Sequence, residues 1–281
     1  MEKKWRTVIG PKSGLLDMDV KEIWKYRDLC LTFIRKNYIT KYKQTVFGPF
    51  YMILSPLLTS GIFTVVFGTI AGIATDGIPQ FLFYMSGNLV WGFFSGCVFE
   101  NNNIFGNNAY IMGKVYFPRL VIPLANTITK LLNMLIQCIM FVIFYGIFQL
   151  RGFTFHSNAW VAVIPLLLLM ISVLGFGIGL IFSSLTIKYR DLNVMLGVGM
   201  NLLMYAAPVI YPLSKLQGIW RSLALINPVA GVIETVRYAF FGVGSVPAAS
   251  LLWGVVLTTI VIFSGLVLFN RVEKTFIDTG I

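Results

Sequence analysis

Long apolar runs separated by short polar breaks recur through the 281-residue chain, and they constrain its fold more than any other feature. A bilayer hydrocarbon core of roughly 30 Å takes about 20 apolar residues in helical form. The runs lie at about 48–72, 80–99, 121–150, 159–186, 192–212 and 248–269. Apolar residues make up 57% of the chain, charged residues 12%, and mean hydropathy is +0.80, a balance that no water-surrounded domain needs. The expectation is an all-α integral membrane protein of six transmembrane helices. An N-terminal amphipathic interface helix precedes them, and a re-entrant helical hairpin precedes the last span.

The formal charge of +11 would suggest a nucleic-acid partner if it were spread over a surface, but eleven of the 22 Lys and Arg fall in residues 1–46. Assigning the connections to alternate sides puts seventeen basic residues on one side and four on the other. Lys130 falls inside a span. Positive charge stays in the cytoplasm, so both ends are expected there. The domain reading is a cytoplasmic arm over 1–46, a membrane domain over 47–270 with its hairpin at about 213–245, and a cytoplasmic tail over 271–281. The opening stretch carries no apolar core followed by a small-residue cleavage site, so no removable signal peptide is expected.

Within residues 20–38, a 100° projection places Lys21, Lys25, Asp28, Thr32, Arg35 and Lys36 on one stripe and mostly apolar residues opposite. Such a helix lies in the membrane interface, as a simple anchor or as a docking surface for a cytoplasmic partner. Gly48-Pro49 opens the first span, and Gly175, Gly177 and Gly179 mark close helix packing in the fourth. Lys188-Tyr189-Arg190-Asp191 is a short turn in which Asp191 is placed to cap the fifth span. Residues 213–245 hold two apolar pieces of about ten residues divided at Asn227-Pro228. Neither is long enough to cross, which favours the hairpin.

Chemistry has little material here. His156 is the only histidine and sits in an outer loop; Cys30, Cys97 and Cys138 form no CxxC pair and read as packing residues; and no GxxxxGK[ST] phosphate loop occurs. The charges at membrane depth are Lys130, Glu234 and Arg237, with Glu100 at the edge. Lys130 can snorkel toward the cytoplasm. Glu234 and Arg237, at i and i+3, can form an ion pair holding the hairpin or can meet substrate. Aromatics such as Tyr84, Trp91, Phe94, Tyr238 and Phe241 read either as an interfacial belt or as a lining on which sugar rings slide.

The string from Asn107 to Arg119, with its Lys114-x-x-Phe117-Pro118-Arg119 element, resembles the transmembrane subunits of type-2 ABC exporters. So do the Tyr189-Arg190-Asp191 turn, the Asn227-Pro228 hairpin with Glu234 and Arg237, and Glu273 to Asp278. The branch most resembled exports O-antigen, capsular polysaccharide and teichoic acid, and the likeness covers essentially the whole chain. It implies a homodimer in the inner (plasma) membrane bound to a separate nucleotide-binding subunit, with a continuous channel between the two membrane subunits. That subunit would carry ATP and Mg, so this chain would need no cofactor or metal and would be no enzyme itself.

The likeness also implies coupling to the ATPase through the amphipathic helix with Lys25, and through a short helix with Asn108, Tyr110, Ile111 and Lys114; Arg190 and Asp191 join this set. Tyr84, Trp91, Phe94, Tyr238 and Phe241 would line the channel, with Lys114 and Arg119 near its entrance facing a lipid-linked diphosphate. Positive-inside topology explains those two basic residues equally well. The expected function is export of lipid-linked polysaccharide. A drug or small-lipid exporter of the same fold is the nearest alternative. A membrane glycosyltransferase would need an Asp-rich metal site that the sequence lacks.

Overall fold

The computed structural model describes residues 20–42, 50–115 and 117–279. The side chains of 20–22, 41–42 and 274–279 are outside it. Half of the expected N-terminal arm, the Gly48-Pro49 start of the first span and Tyr116 lie outside the described residues.

Helices α1 (Val20–Lys25) and α2 (Arg27–Tyr42) are divided by a turn at Tyr26. The first crossing is α3 (Phe50–Phe63), which contains Pro56 and continues as a π-helical turn over Thr64–Ile70. There follow α4 (Gln80–Asn101), the short α5 (Ile104–Met112) and α6 (Val121–Leu150). A 3₁₀ turn over Ala159–Val163 leads into α7 (Ile164–Thr186), and α8 (Leu192–Ala206) comes next. The hairpin is α9 (Ile219–Ile226) and α10 (Pro228–Phe241), and α11 (Ala248–Thr279) closes the fold.

Five helical segments among the described residues are long and apolar enough to cross a bilayer: Phe50–Ile70, α4, α6, Ala159–Thr186 and Ala248–Glu273. The sixth expected span is shorter than its apolar run. Pro208 disfavours helical dihedrals in the residue before it, and Ala207 is extended at φ −82°, ψ 149°. α8 therefore ends at 15 residues, about 22 Å of helix against a hydrocarbon layer of roughly 30 Å. α11 departs the other way, running on past Arg271 into the expected polar tail.

The core is built around α4, whose residues from Leu82 to Val98 are mostly buried. The glycines of α7 make that packing possible. A Cβ on Gly175 would lie 3.0 Å from the Phe94 carbonyl oxygen, and one on Gly179 would lie 3.1 Å from that of Val98. On the other side of α7, a Cβ on Gly177 would lie 3.1 Å from the backbone of Ile262 in α11. The small residues thus let one helix sit backbone to backbone against two neighbours, as their i, i+4 spacing requires.

Candidate functional site

One end of the bundle gathers the C-terminal ends of α4, α7 and α11, the N-terminal ends of α6 and α8, and all of α5. It carries Lys114, Arg119, Lys188, Arg190 and Arg271. α1 and α2 dock there: Phe33 is buried and its ring centroid lies 5.9 Å from that of Phe117. Ile23, Tyr26, Leu29, Cys30 and Ile34 pack against the same apolar cluster. The apolar side of the amphipathic helix therefore rests largely on protein rather than on lipid alone. Burial there also pushes the Cys30 thiol above its ordinary pKa.

Beneath this end lies a polar ladder that sequence reasoning missed. Asn37 of α2 donates to Asn126 Oδ1 of α6 at 3.0 Å, and the Tyr38 hydroxyl donates to Asn133 Oδ1 at 2.9 Å. Asn126 Nδ2 in turn donates to the Glu100 carbonyl at 2.8 Å, and Asn101 Nδ2 donates to Thr127 Oγ1 at 3.0 Å. Lys130 Nζ meets Glu100 Oε1 at 3.1 Å, near the same end of α4. In an apolar medium such groups prefer one another to any alternative, so the ladder joins α2 to both α4 and α6. The signal was available: Asn126, Lys130, Asn133 and Gln137 recur at i, i+4, i+7 and i+11 along one face of an otherwise apolar run.

The expected coupling residues fall at this same end. Lys25, Arg190 and Asp191 are exposed, and Tyr110 is 75% exposed. Lys114 Nζ sits 3.8 Å over the Tyr110 ring centroid and donates to its hydroxyl. Asn108 Nδ2 donates back to the Ile104 carbonyl at 3.0 Å, while Ile111 is partly buried in the apolar cluster. α5 itself is held to α7, since Ile104 N–H donates to Ser183 Oγ at 2.9 Å and Thr186 Oγ1 donates to the Asn102 carbonyl at 3.2 Å. Asp191 occupies the N-cap position of α8 without a side-chain capping bond; its backbone carbonyl accepts from Val194 and Met195 instead. Arg119 is buried, with Nη1 donating to the Glu273 carbonyl at 3.3 Å, so it fastens α11 rather than facing an entrance.

At the opposite end the hairpin bends by 99° at Asn227. Asn227 Oδ1 accepts from Val229 N–H at 3.1 Å and Pro228 takes the first position of α10, the arrangement that starts a helix at low cost. The far end of α10 is equally well closed. Asn158 Nδ2 donates to the Tyr238 carbonyl, Asn158 N–H to that of Ala239, and the Tyr145 hydroxyl to that of Phe240. Gly242 then turns the chain in a left-handed conformation at φ 70°, pressed against His156.

Glu234 and Arg237 do not form the expected ion pair. Arg237 is buried with its guanidinium 3.5 Å over the Phe83 ring centroid. Its Nη1 donates to the Pro208 carbonyl at 2.6 Å, its Nη2 to that of Val209 at 3.2 Å, and its Nε to Ser86 Oγ at 3.4 Å. The carbonyls released where α8 stops are thereby satisfied at membrane depth. Glu234 faces the turn after α10, where a Cβ on Gly244 would overlap its Oε1.

The aromatic residues expected in a channel belong instead to the interior of a single chain. Tyr84 is 0%, Trp91 6%, Phe94 4% and Phe241 4% exposed. Tyr238 is half-buried. Trp91 packs edge-on to Phe94 at 5.6 Å, and Phe241 lies within an aromatic cluster with Phe141, Tyr145 and Phe155. Apolar aromatics in a membrane chain pack on one another whenever the helices leave room, and sequence does not separate that role from a lining. Among the described residues no group of three or more His, Cys, Asp or Glu is placed to hold a metal ion.

Residues 28–241 match the model of the ABC-2 type transporter family. The chain is 29% identical over 255 residues to an O-antigen export system permease protein RfbA of Klebsiella pneumoniae, covering 89% of this chain and 94% of that protein. It is 25% identical over 225 residues to the protein of the same name from Myxococcus xanthus, covering 79% and 84%. A shorter likeness, 30% over 109 residues, covers 39% of this chain and 42% of the inner membrane transport permease YadH of Escherichia coli K12.

Proposed function

The chain belongs to the ABC-2 type transporter family, and from that premise we propose that it is the channel-forming permease of an ATP-driven exporter of lipid-linked polysaccharide. The observation that carries the substrate is the near full-length likeness to O-antigen export permeases. In this reading the chain works as a homodimer in the inner membrane. Both termini face the cytoplasm, where a separate nucleotide-binding subunit hydrolyses ATP and docks on α2 and α5. The basic end described above supports that orientation.

The second copy is best placed along α3 and α8. α8 buries only Leu196 and Met200 and exposes Val194, Met195, Val198, Leu202 and Tyr205. A Cβ on Gly61, Gly197 or Gly199 would meet nothing within 4 Å; small residues on an open apolar face permit close helix approach. Tyr51 and Tyr205, 60% and 57% exposed, are then the aromatics offered to a sliding glycan. Deletion of the chain should leave lipid-linked glycan inside the cell and bare surfaces outside, as read by glycan extraction and surface staining. A deletion strain with normal surface polysaccharide and new sensitivity to small hydrophobic toxins would assign the chain to drug export instead.

A further inference from the structure

A cavity of about 460 Å³ opens between α4, α6, α7 and α10. Its floor is Leu89, Val90 and Met134, all buried, and its mouth carries Leu135, Val142 and Leu169, which are 59%, 54% and 51% exposed. The polar side chain lining it, Ser86, is already engaged, donating to the Phe83 carbonyl at 2.8 Å and accepting from Arg237. Nothing in the cavity can hold water, and an apolar void of this size left empty forfeits the dispersion contacts of every atom around it.

We propose that this cavity binds one acyl chain of a bilayer phospholipid from the leaflet on the hairpin side. The proposal rests on the membrane-spanning character of α6 and α7, not on the identity of the exported substrate. Three observations select this occupant. The lining residues of α4 and α7 lie in the halves of those helices nearest the hairpin, and Val236 and Phe240 of the hairpin helix close one wall. The surface leading to the mouth along α6 is an aliphatic strip, Ile128, Leu132, Leu135, Ile139, Val142 and Ile147, all exposed. From Ile128 to Val142 that strip has none of the small residues that favour helix contact in membranes, the first being Gly146 one turn beyond the mouth, whereas Gly197 and Gly199 lie mid-helix on α8. What stands at such a mouth is lipid tail, and a single flexible chain can enter where a helix of about 10 Å diameter cannot. Seated there, the chain packs directly on α10 beside the Ser86 and Arg237 contact, so it props the hairpin against α4.

The test is photolabelling of the full chain in nanodiscs made with a phospholipid that carries a diazirine in one acyl chain, followed by peptide mapping. Adducts should concentrate on Leu135, Cys138 and Leu168. They should be lost in Cys138→Trp and in the milder mouth variant Val142→Phe, both monodisperse by gel filtration, while adducts on Leu252, Val256 and Ile260 of the exposed face of α11 persist. Adducts spread evenly along the α6 strip and unaffected by both variants would reduce the cavity to ordinary lipid contact and overturn the proposal. Displacement of the phospholipid label by a polyprenyl phosphate at low mole fraction would overturn the choice of phospholipid.

Discussion

A guanidinium in a membrane protein is tolerated where its nitrogens are hydrogen-bonded and its plane is covered, and Arg237 meets both conditions, each nitrogen donating to Ser86, Pro208, Val209 or the Phe83 carbonyl and the plane lying over the Phe83 ring. Arg237→Met should therefore strand two carbonyls at a cost of about 1–3 kcal/mol each. A clear fall in the thermal midpoint in detergent should follow, with Arg237→Lys recovering only part of it because an ammonium lacks the fork. An unchanged midpoint in the Met variant would show that these carbonyls find other partners. Tyr84 makes the opposite case: its buried hydroxyl has no hydrogen-bond partner among the described residues, so Tyr84→Phe should hold or raise the same midpoint. That a charge at Arg237 mattered was legible from its depth alone. Its partners were not, because Pro208 and Phe83 are 29 and 154 residues away in number and only the folded chain brings them together. The neighbour at i−3, Glu234, offered the nearer and wrong partner.

At the level of elements, periodicity and breakers marked the long helices, the glycine-packed α7 and the hairpin bend at Asn227-Pro228. Each follows from interactions within a few residues of its own position. α8 shows where that reasoning fails, since hydropathy continues through Pro208 and Pro212 although the helix does not. The polar ladder was harder to see because asparagines within apolar runs become informative only once placed on one face. For coupling, α5 and α2 present the exposed surface at the basic end, and two of the expected coupling residues on α5, Tyr110 and Ile111, are not equivalent. Tyr110→Asp changes an exposed ring, whereas Ile111→Asp would bury a carboxylate in the apolar cluster. In the assembled complex, Tyr110→Asp should leave the permease folded and uncouple ATP hydrolysis from export, read as a drop in glycan moved per ATP. A normal ratio in that variant would remove α5 from the coupling path.

For the whole molecule, the single chain leaves its α3 and α8 faces apolar and open, while Tyr84, Trp91, Phe94 and Phe241 are buried inside it. In the proposed dimer the channel expected between two subunits is then lined by residues exposed on the seam rather than by those buried rings. The same division explains why aromatic content misled: buried rings such as Phe83 and Phe105 and exposed ones such as Tyr51 and Tyr205 count alike in composition. Residues on that seam, Tyr205 above all, should then slow export when replaced by Ala without changing the folding of the chain. The most direct measurement is translocation itself, with the permease and its nucleotide-binding partner reconstituted in proteoliposomes loaded with lipid-linked glycan on the ATPase side. Lectin reactivity should develop on the far side only when ATP is supplied, and should rise more slowly with Tyr205→Ala. Lectin signal that stays absent while the same vesicles pump a small hydrophobic dye in an ATP-dependent manner would contradict the account.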